Sequence, residues 1–211
     1  VAVSQANKDY FAQFIPEDRI TVVSTGVDTE YFHPNEAAEQ PNHAVFTGSY
    51  DWMPNGDAMD WYAEDILPLV RRDVPELQTW AVGKAPTQAM LRRSQQDPAF
   101  HVTGRVDDVR PYIERGSVYI VPMRSGSGTR LKVFEAMACG KAIVSTRAGA
   151  EGLPVEHGKS MILADTAADF AGEMVRVMRD PELRMRLGRE ARALVEGRYS
   201  WNRVGDEFES I

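Results

Sequence analysis

The sequence predicts an α/β fold: a doubly wound, mostly parallel sheet with helices on both faces. Three observations predict it. Short apolar runs recur along the chain, helical patterns lie between them, and several of the runs end in glycine. Alternation of strand and helix is the mark of βαβ units, and runs that are apolar on consecutive residues fit parallel strands covered on both faces.

The expected strands are 20–23, 44–47, 79–82, 101–103, 118–121, 142–146 and 161–163. An amphipathic helix is expected over 57–69, with Pro68 kinking or ending it. Shorter helices follow over 87–94 and 109–115, the latter capped by Asp107-Asp108. Asp180-Pro181 marks a further helix start, after which Leu183, Leu187, Ala191 and Leu194 form a core-packing stripe. The polar segment 35–42 reads as a linker, separating a lead-in segment, 1–34, from the main domain, 43–211. Residues 1–3 read as the end of a strand already under way, so the chain is expected to be an excerpt of a longer polypeptide.

The formal net charge of −7 argues against nucleic acid as a partner, yet a locally basic pocket still suits an anionic ligand. Cys139 is the single cysteine; it reads as a small core residue and fits a reducing compartment. No run approaches the ~18 apolar residues of a membrane span. His33, His43, His101 and His157 are scattered without ligand spacing, so no metal is expected. The Arg-rich stretch 176–203 is interleaved with acids and reads as a solvated helical face.

Right-handed crossovers gather every strand-to-helix loop at the carboxyl edge of the sheet. Three expected strands run into Gly48-Ser49, Gly83-Lys84 and Gly104-Arg105-Val106, and a fourth opens into Ser125-Gly126-Ser127-Gly128-Thr129. Glycine at such places lets backbone approach a ligand. In the helix that follows, Ser127 or Thr129 is expected as the cap and Gly140-Lys141 as the end. Leu131, Val133, Phe134, Met137 and Ala138 fall on one side and should face the sheet. Arg130 and Lys132 put two cations at a helix start, where the dipole favours an anion. Arginine grips phosphate oxygens in pairs and lysine acts as a point charge. Glu135 lies five residues beyond Arg130, ~7.5 Å along the axis, a spacing that suits a diphosphate and its ribose. Neither the dinucleotide fingerprint nor the Walker pattern is present.

The stretch Arg130-Leu131-Lys132-Val133-Phe134-Glu135-Ala136-Met137-Ala138-Cys139-Gly140-Lys141-Ala142-Ile143-Val144-Ser145-Thr146 resembles the donor-site stretch of family-four, group 1 type GT-B glycosyltransferases. Ser4, Gly26-Val27-Asp28, Phe32-His33-Pro34, Val82-Gly83, Gly104-Arg105-Val106 and Ser200-Trp201 match in the same order, so the resemblance covers nearly the whole chain. It is similar to the subgroup reading Gly48…Pro54-Asn55, Asp108-Val109-Arg110-Pro111 and Gly149-Ala150-Glu151-Gly152-Leu153.

The resemblance implies the Rossmann-like, donor-binding C-terminal half of an enzyme whose N-terminal acceptor domain is absent from this chain. The donor would be a nucleotide sugar, transferred with retention to a glycan or lipid-linked acceptor, with no cofactor and no metal. It further implies a cytoplasmic enzyme, peripheral to the inner face of the membrane, and a fragment inactive alone. Glu135 matches the second glutamate of the family's paired motif, which holds the ribose. The first glutamate's place is taken by Ser127. The family's Arg and Lys after the first strand are replaced by Ser49 and Met53-Pro54-Asn55-Gly56, so Arg130 and Lys132 are expected to take over the diphosphate as the catalytic cations. Gly48, Ser49, Gly83, Gly104, Arg105, Val106, Ser127, Gly128, Thr129 and Leu131 complete the expected substrate-binding set. Two rival readings stay open: a degenerate nucleotide-sugar-binding module, favoured by Ser127, and a sugar-nucleotide epimerase of related architecture.

Overall fold

The computed structural model describes residues 1–126 and 130–210. Its strands are β1 (His43–Thr47), β2 (Gln78–Val82), β3 (Phe100–Val102), β4 (Val118–Val121), β5 (Ile143–Ser145) and β6 (Ile162–Leu163). They form one parallel sheet in the order β3-β2-β1-β4-β5-β6. From β1 the chain winds outward to β3, then returns to β4 and winds the other way. The topological switch point therefore lies between β1 and β4, where an open α/β sheet leaves a crevice at its carboxyl edge. Ala44, Val45, Phe46 and all of β4 are wholly buried, as parallel strands with helices on both faces require.

The helices are α1 (Gln5–Phe11), α2 (Met53–Trp61), α3 (Leu67–Asp73), α4 (Gln88–Gln96), α5 (Arg110–Arg115), α6 (Leu131–Ala138), α7 (Ala167–Arg179), α8 (Pro181–Arg198) and α9 (Trp201–Glu209). Right-handed crossovers put α2 to α4 on one face and α5 and α6 on the other; α7 then packs on α3, and α8 on α6. Asp180 caps α8 by accepting from the Leu183 N–H, with Pro181 in the first turn. Leu183, Leu187 and Ala191 are buried as expected, joined by Val195, while Leu194 is only half-buried.

Several expectations are corrected. Segment 20–23 is no strand: a 3-10 turn, Glu17–Arg19, precedes it and Val22 makes one isolated parallel bridge to Ala2. Residues 1–3 have only that bridge, because the pair lies outside the sheet and has no ladder to extend. Pro68 does not end its helix. The helical path runs from α2 through a π-helical turn, Tyr62–Ile66, into α3, and Pro68 falls in the first turn of α3. The missing Pro68 N–H thus coincides with a change of hydrogen-bond register.

Segment 35–42 is no free linker. It holds a 3-10 turn, Glu36–Ala38, and Glu39 accepts from Lys141 Nζ (2.8 Å) and Arg184 Nε (2.7 Å). The Arg-rich stretch is not wholly solvated either. Arg184 also donates to Val177 O and Met178 O at the end of α7, and Arg192 donates to Phe32 O, Thr29 O and Ala138 O. Both spend their donors on carbonyls left open by helix ends and by the lead-in segment. Val27 bridges to Ser200 and the Arg110 guanidinium lies 3.7 Å over the Tyr31 ring, so the lead-in is fastened to the domain through its residues 27–31. Cys139 is buried, and burial pushes its thiol up to about 12.

Candidate functional site

The loops after β1, β2 and β3 are laced side by side. Gly48 N–H donates to Val82 O (2.9 Å), Gly83 N–H to Gly104 O (3.2 Å) and Tyr50 N–H to Lys84 O (3.0 Å). A Cβ on Gly83, whose φ is +141°, would stand 1.7 Å from Gly48 O. One on Gly48 would stand 2.9 Å from Asn55 Nδ2 and 3.0 Å from Lys132 Nζ. Glycine is therefore required at 83 by the backbone packed against it, whereas at 48 a side chain would press on two side-chain ends; of the three strand-end glycines only Gly104 faces open space. Ser49 Oγ is tied to Asp51 (2.5 Å), which pairs with Lys84 across the loops (3.3 Å); that hydroxyl and then the Lys84 ammonium hold the Asp51 carboxyl below its ordinary value. Arg105 is exposed and Val106 half-buried after β3; among the described residues neither is bonded to α6.

Helix α6 begins at Leu131, and the cap position is Arg130, which makes no side-chain cap bond. Ser127 and Thr129, expected as the cap, lie with Gly128 outside the described residues. Leu131, expected to face the sheet, is 47% exposed, because the first helical residue projects over the crevice, whereas Val133, Phe134, Met137 and Ala138 are buried. The other end matches expectation. Gly140, with φ +66°, donates to Met137 O and Lys141 N–H to Ala136 O, a Schellman stop.

Arg130, Lys132 and Glu135 come together at the start of α6. Arg130 is 3% exposed. Its Nη2 donates to Gly126 O (2.9 Å) and Ala148 O (3.3 Å), and its guanidinium lies 5.6 Å from the Trp52 ring. Burial lowers its pKa, with Glu151 pulling the other way. Lys132 Nζ donates to Asn55 Oδ1 (2.5 Å) and lies 4.1 Å from the Phe46 ring centre. The residue is half-buried, and desolvation lowers its amine to about 7, aided by the Arg130 charge and opposed by Glu135. Burial raises the Glu135 carboxyl, and Lys132 opposes that rise. Behind them Tyr119 Oη is 2.5 Å from Thr47 Oγ1, and the Tyr50 hydroxyl is buried without a hydrogen-bond partner among the described residues. The arrangement can hold a dianion: a buried Arg130 and a half-buried Lys132 at a helix N-terminus, floored by the ends of β1 and β4.

Sequence reasoning missed the roles of Trp52, Phe46 and Asn55. Pro54-Asn55 was visible as part of the resemblance, but a contact 77 residues distant carries no local signal. A hollow of about 190 Å³ lies at the opposite end of α6, lined by Glu39, Cys139, Lys141, Arg184 and Arg192 among others. Its Glu39, Lys141, Arg184 and Arg192 side chains are already paired within the fold. Among the described residues no helix is long and apolar enough to cross a membrane.

The sheet order and the crevice define a doubly wound, Rossmann-like nucleotide-binding type of domain. Anabaena HepE, solved in complex with UDP, superposes with a TM-score of 0.81 at 16% identity, over 99% of this chain and 62% of that one. The C-terminal domain of a group 1 glycosyl transferase from Francisella tularensis gives 0.68 at 17% identity, over 83% of this chain and 100% of that one. The chain belongs to the glycosyl transferases group 1 family, whose model matches residues 41–180. D-inositol 3-phosphate glycosyltransferase of Saccharomonospora viridis is 29% identical over 217 residues, covering 92% of this chain and 50% of that protein. The chain spans about half the length of the curated relatives it matches.

Proposed function

We propose that this chain is the donor-nucleotide half of a nucleotide-sugar-dependent glycosyltransferase that transfers a sugar, with retention, to a glycan or lipid-linked acceptor bound by a separate N-terminal domain. The observation that carries this reading is the Lys132 ammonium, held at the switch point beside Arg130 with a neutral amide as its hydrogen-bond partner. An ammonium so placed is completed by an anionic ligand. The UDP in the Anabaena relative and the domain-length Francisella structure support the same reading.

In this reading Arg130 and Lys132 grip the diphosphate, in place of a metal ion, and Glu135 takes the ribose hydroxyls. As the bond from the anomeric carbon to the diphosphate oxygen breaks, negative charge grows on the leaving group, where two fixed cations and a helix N-terminus stabilise it. Ser49, Gly104, Arg105, Val106 and Leu131 border the remainder of the donor, with Ser127, Gly128 and Thr129. The fragment alone should turn over little, since acceptor positioning and water exclusion need both halves.

Product analysis of the full-length protein with a panel of UDP, GDP and ADP sugars tests this. Transfer, or slow donor hydrolysis without acceptor, is the expected outcome. Epimerised donor, or binding with no turnover, would replace the reading with one of its two rivals.

A further inference from the structure

Asn55 is the third residue of α2 and only 3% exposed. Its carboxamide is engaged at both ends. Nδ2 donates to Ser49 O (2.8 Å), and Oδ1 accepts from Lys132 Nζ (2.5 Å). One side chain thereby joins the loop after β1 to the helix after β4, across the switch point. The two contacts fix the amide's orientation: reversed, it would set an NH2 against an ammonium and an oxygen against a carbonyl. Gly48 leaves the space the pair occupies, since a Cβ there would press on both Asn55 Nδ2 and Lys132 Nζ.

We propose that Asn55 is a positioning residue, which fixes the Lys132 ammonium over the end of β1 for the donor's diphosphate and leaves its charge uncancelled. This rests on the reading of the crevice as a diphosphate site. The residue type follows from the two contacts. An aspartate would also accept from Lys132, but it would neutralise the charge needed by the ligand and could not donate to Ser49 O. An apolar residue would leave both the ammonium and that carbonyl without a partner. The other groups bearing on Lys132 are Arg130 and Glu135 from α6 and the Phe46 ring from β1. Arg130 disfavours the ammonium and Glu135 favours it; Asn55 adds an accepted hydrogen bond that favours it too, and no charge of its own.

Calorimetric titration of the full-length protein with UDP, GDP and ADP from about pH 6 to about pH 10, a range that begins below the Lys132 amine's value of about 7, tests the assignment on Asn55→Ala, Asn55→Asp and Lys132→Met, singly and combined. Each Asn55 variant should weaken the best-bound nucleotide about tenfold or more, and Asn55→Ala should not weaken it further in the Lys132→Met background. Asn55→Asp should also move the pH at which affinity declines upward, and Asn55→Ala downward. Losses that add to that of Lys132→Met, with the pH of decline unmoved, would mean that Asn55 merely supports its loop and would overturn the proposal. Should Lys132→Met bind every nucleotide like the wild type, the diphosphate reading fails instead. The ligand-free melting curves then decide for Asn55. An upward move with Asn55→Asp in the pH range over which stability climbs supports the positioning role, and an unmoved range refutes it.

Discussion

Lys132 and Lys141 stand at opposite ends of the same helix, the first half-buried and the second buried, and their surroundings differ in kind. Lys141 at the C-terminal end is 5% exposed and meets the Glu39 carboxylate at 2.8 Å and the Glu114 carbonyl at 3.2 Å. It also sits where the helix dipole welcomes a cation. Lys132, in the first turn, has an amide oxygen and a ring face, with Arg130 adding repulsion. The first lysine is finished by the protein and holds the strap 35–42 down. The second is left for a ligand to finish, so it marks the functional end of α6.

The largest effect expected from breaking this contrast is at the finished end. Glu39→Ala strands two partly or wholly buried cations, Lys141 and Arg184, and should cost roughly 2–4 kcal/mol in urea unfolding, with the nucleotide affinity of the folded protein unchanged. Lys132→Met should act in the opposite sense. Replacing a desolvated amine by an apolar chain of similar length should leave the free protein as stable or up to about 2 kcal/mol more stable near neutral pH. Nucleotide affinity should meanwhile fall about tenfold or more. A Lys132→Met protein that melts early and binds normally would erase the distinction between the two lysines.

A pH series sharpens it further. The Lys132 amine lies near 7 in the folded chain and at 10.5 in its ordinary state, so between those values the unfolded chain binds more protons. Stability should therefore climb as pH rises from about 7 towards 10, and that climb should be missing from Lys132→Met. Glu135, with its carboxyl raised by burial, contributes the reverse slope above 4.5, in the acid range. Nucleotide affinity should decline over the same alkaline range in which the free protein gains stability. Smallest of all, Glu135→Ala should weaken nucleoside diphosphate binding by a few-fold, about one hydrogen-bonded contact to the ribose, measured by calorimetry at pH 7 (the ordinary working value, roughly).

The sheet was legible in the sequence because its strands are consecutive apolar runs, and β1, β2, β4 and β5 fall where those runs do. Segment 20–23 has the same composition, but among the described residues pairs only through its isolated bridge to Ala2, and composition does not encode neighbours. Helix α7 went unseen although Thr166 caps it and Phe170, Ala171, Met174, Val177 and Met178 form a helical stripe. Its Arg-rich end was taken with the solvated face that follows. At the site, Arg130, Lys132 and Glu135 were readable because a single helix start displays them together. Asn55 was not, because its contact depends on the switch point bringing β1 beside β4. Nor was the difference between Lys132 and Lys141, since partner carboxylates arrive from distant segments: Glu39 lies 102 residues from Lys141.

The most direct measurement is a calorimetric comparison of wild type and Arg130→Ala binding UDP, GDP and ADP. Arg130 is buried at the cap of α6 and touches two loops of the crevice. A diphosphate site here requires that one of these nucleotides bind the wild type and that Arg130→Ala lower its affinity about tenfold or more. Equal affinity in the two proteins, or no binding of any of the three to the wild type, would contradict the placement of the donor site at the start of α6.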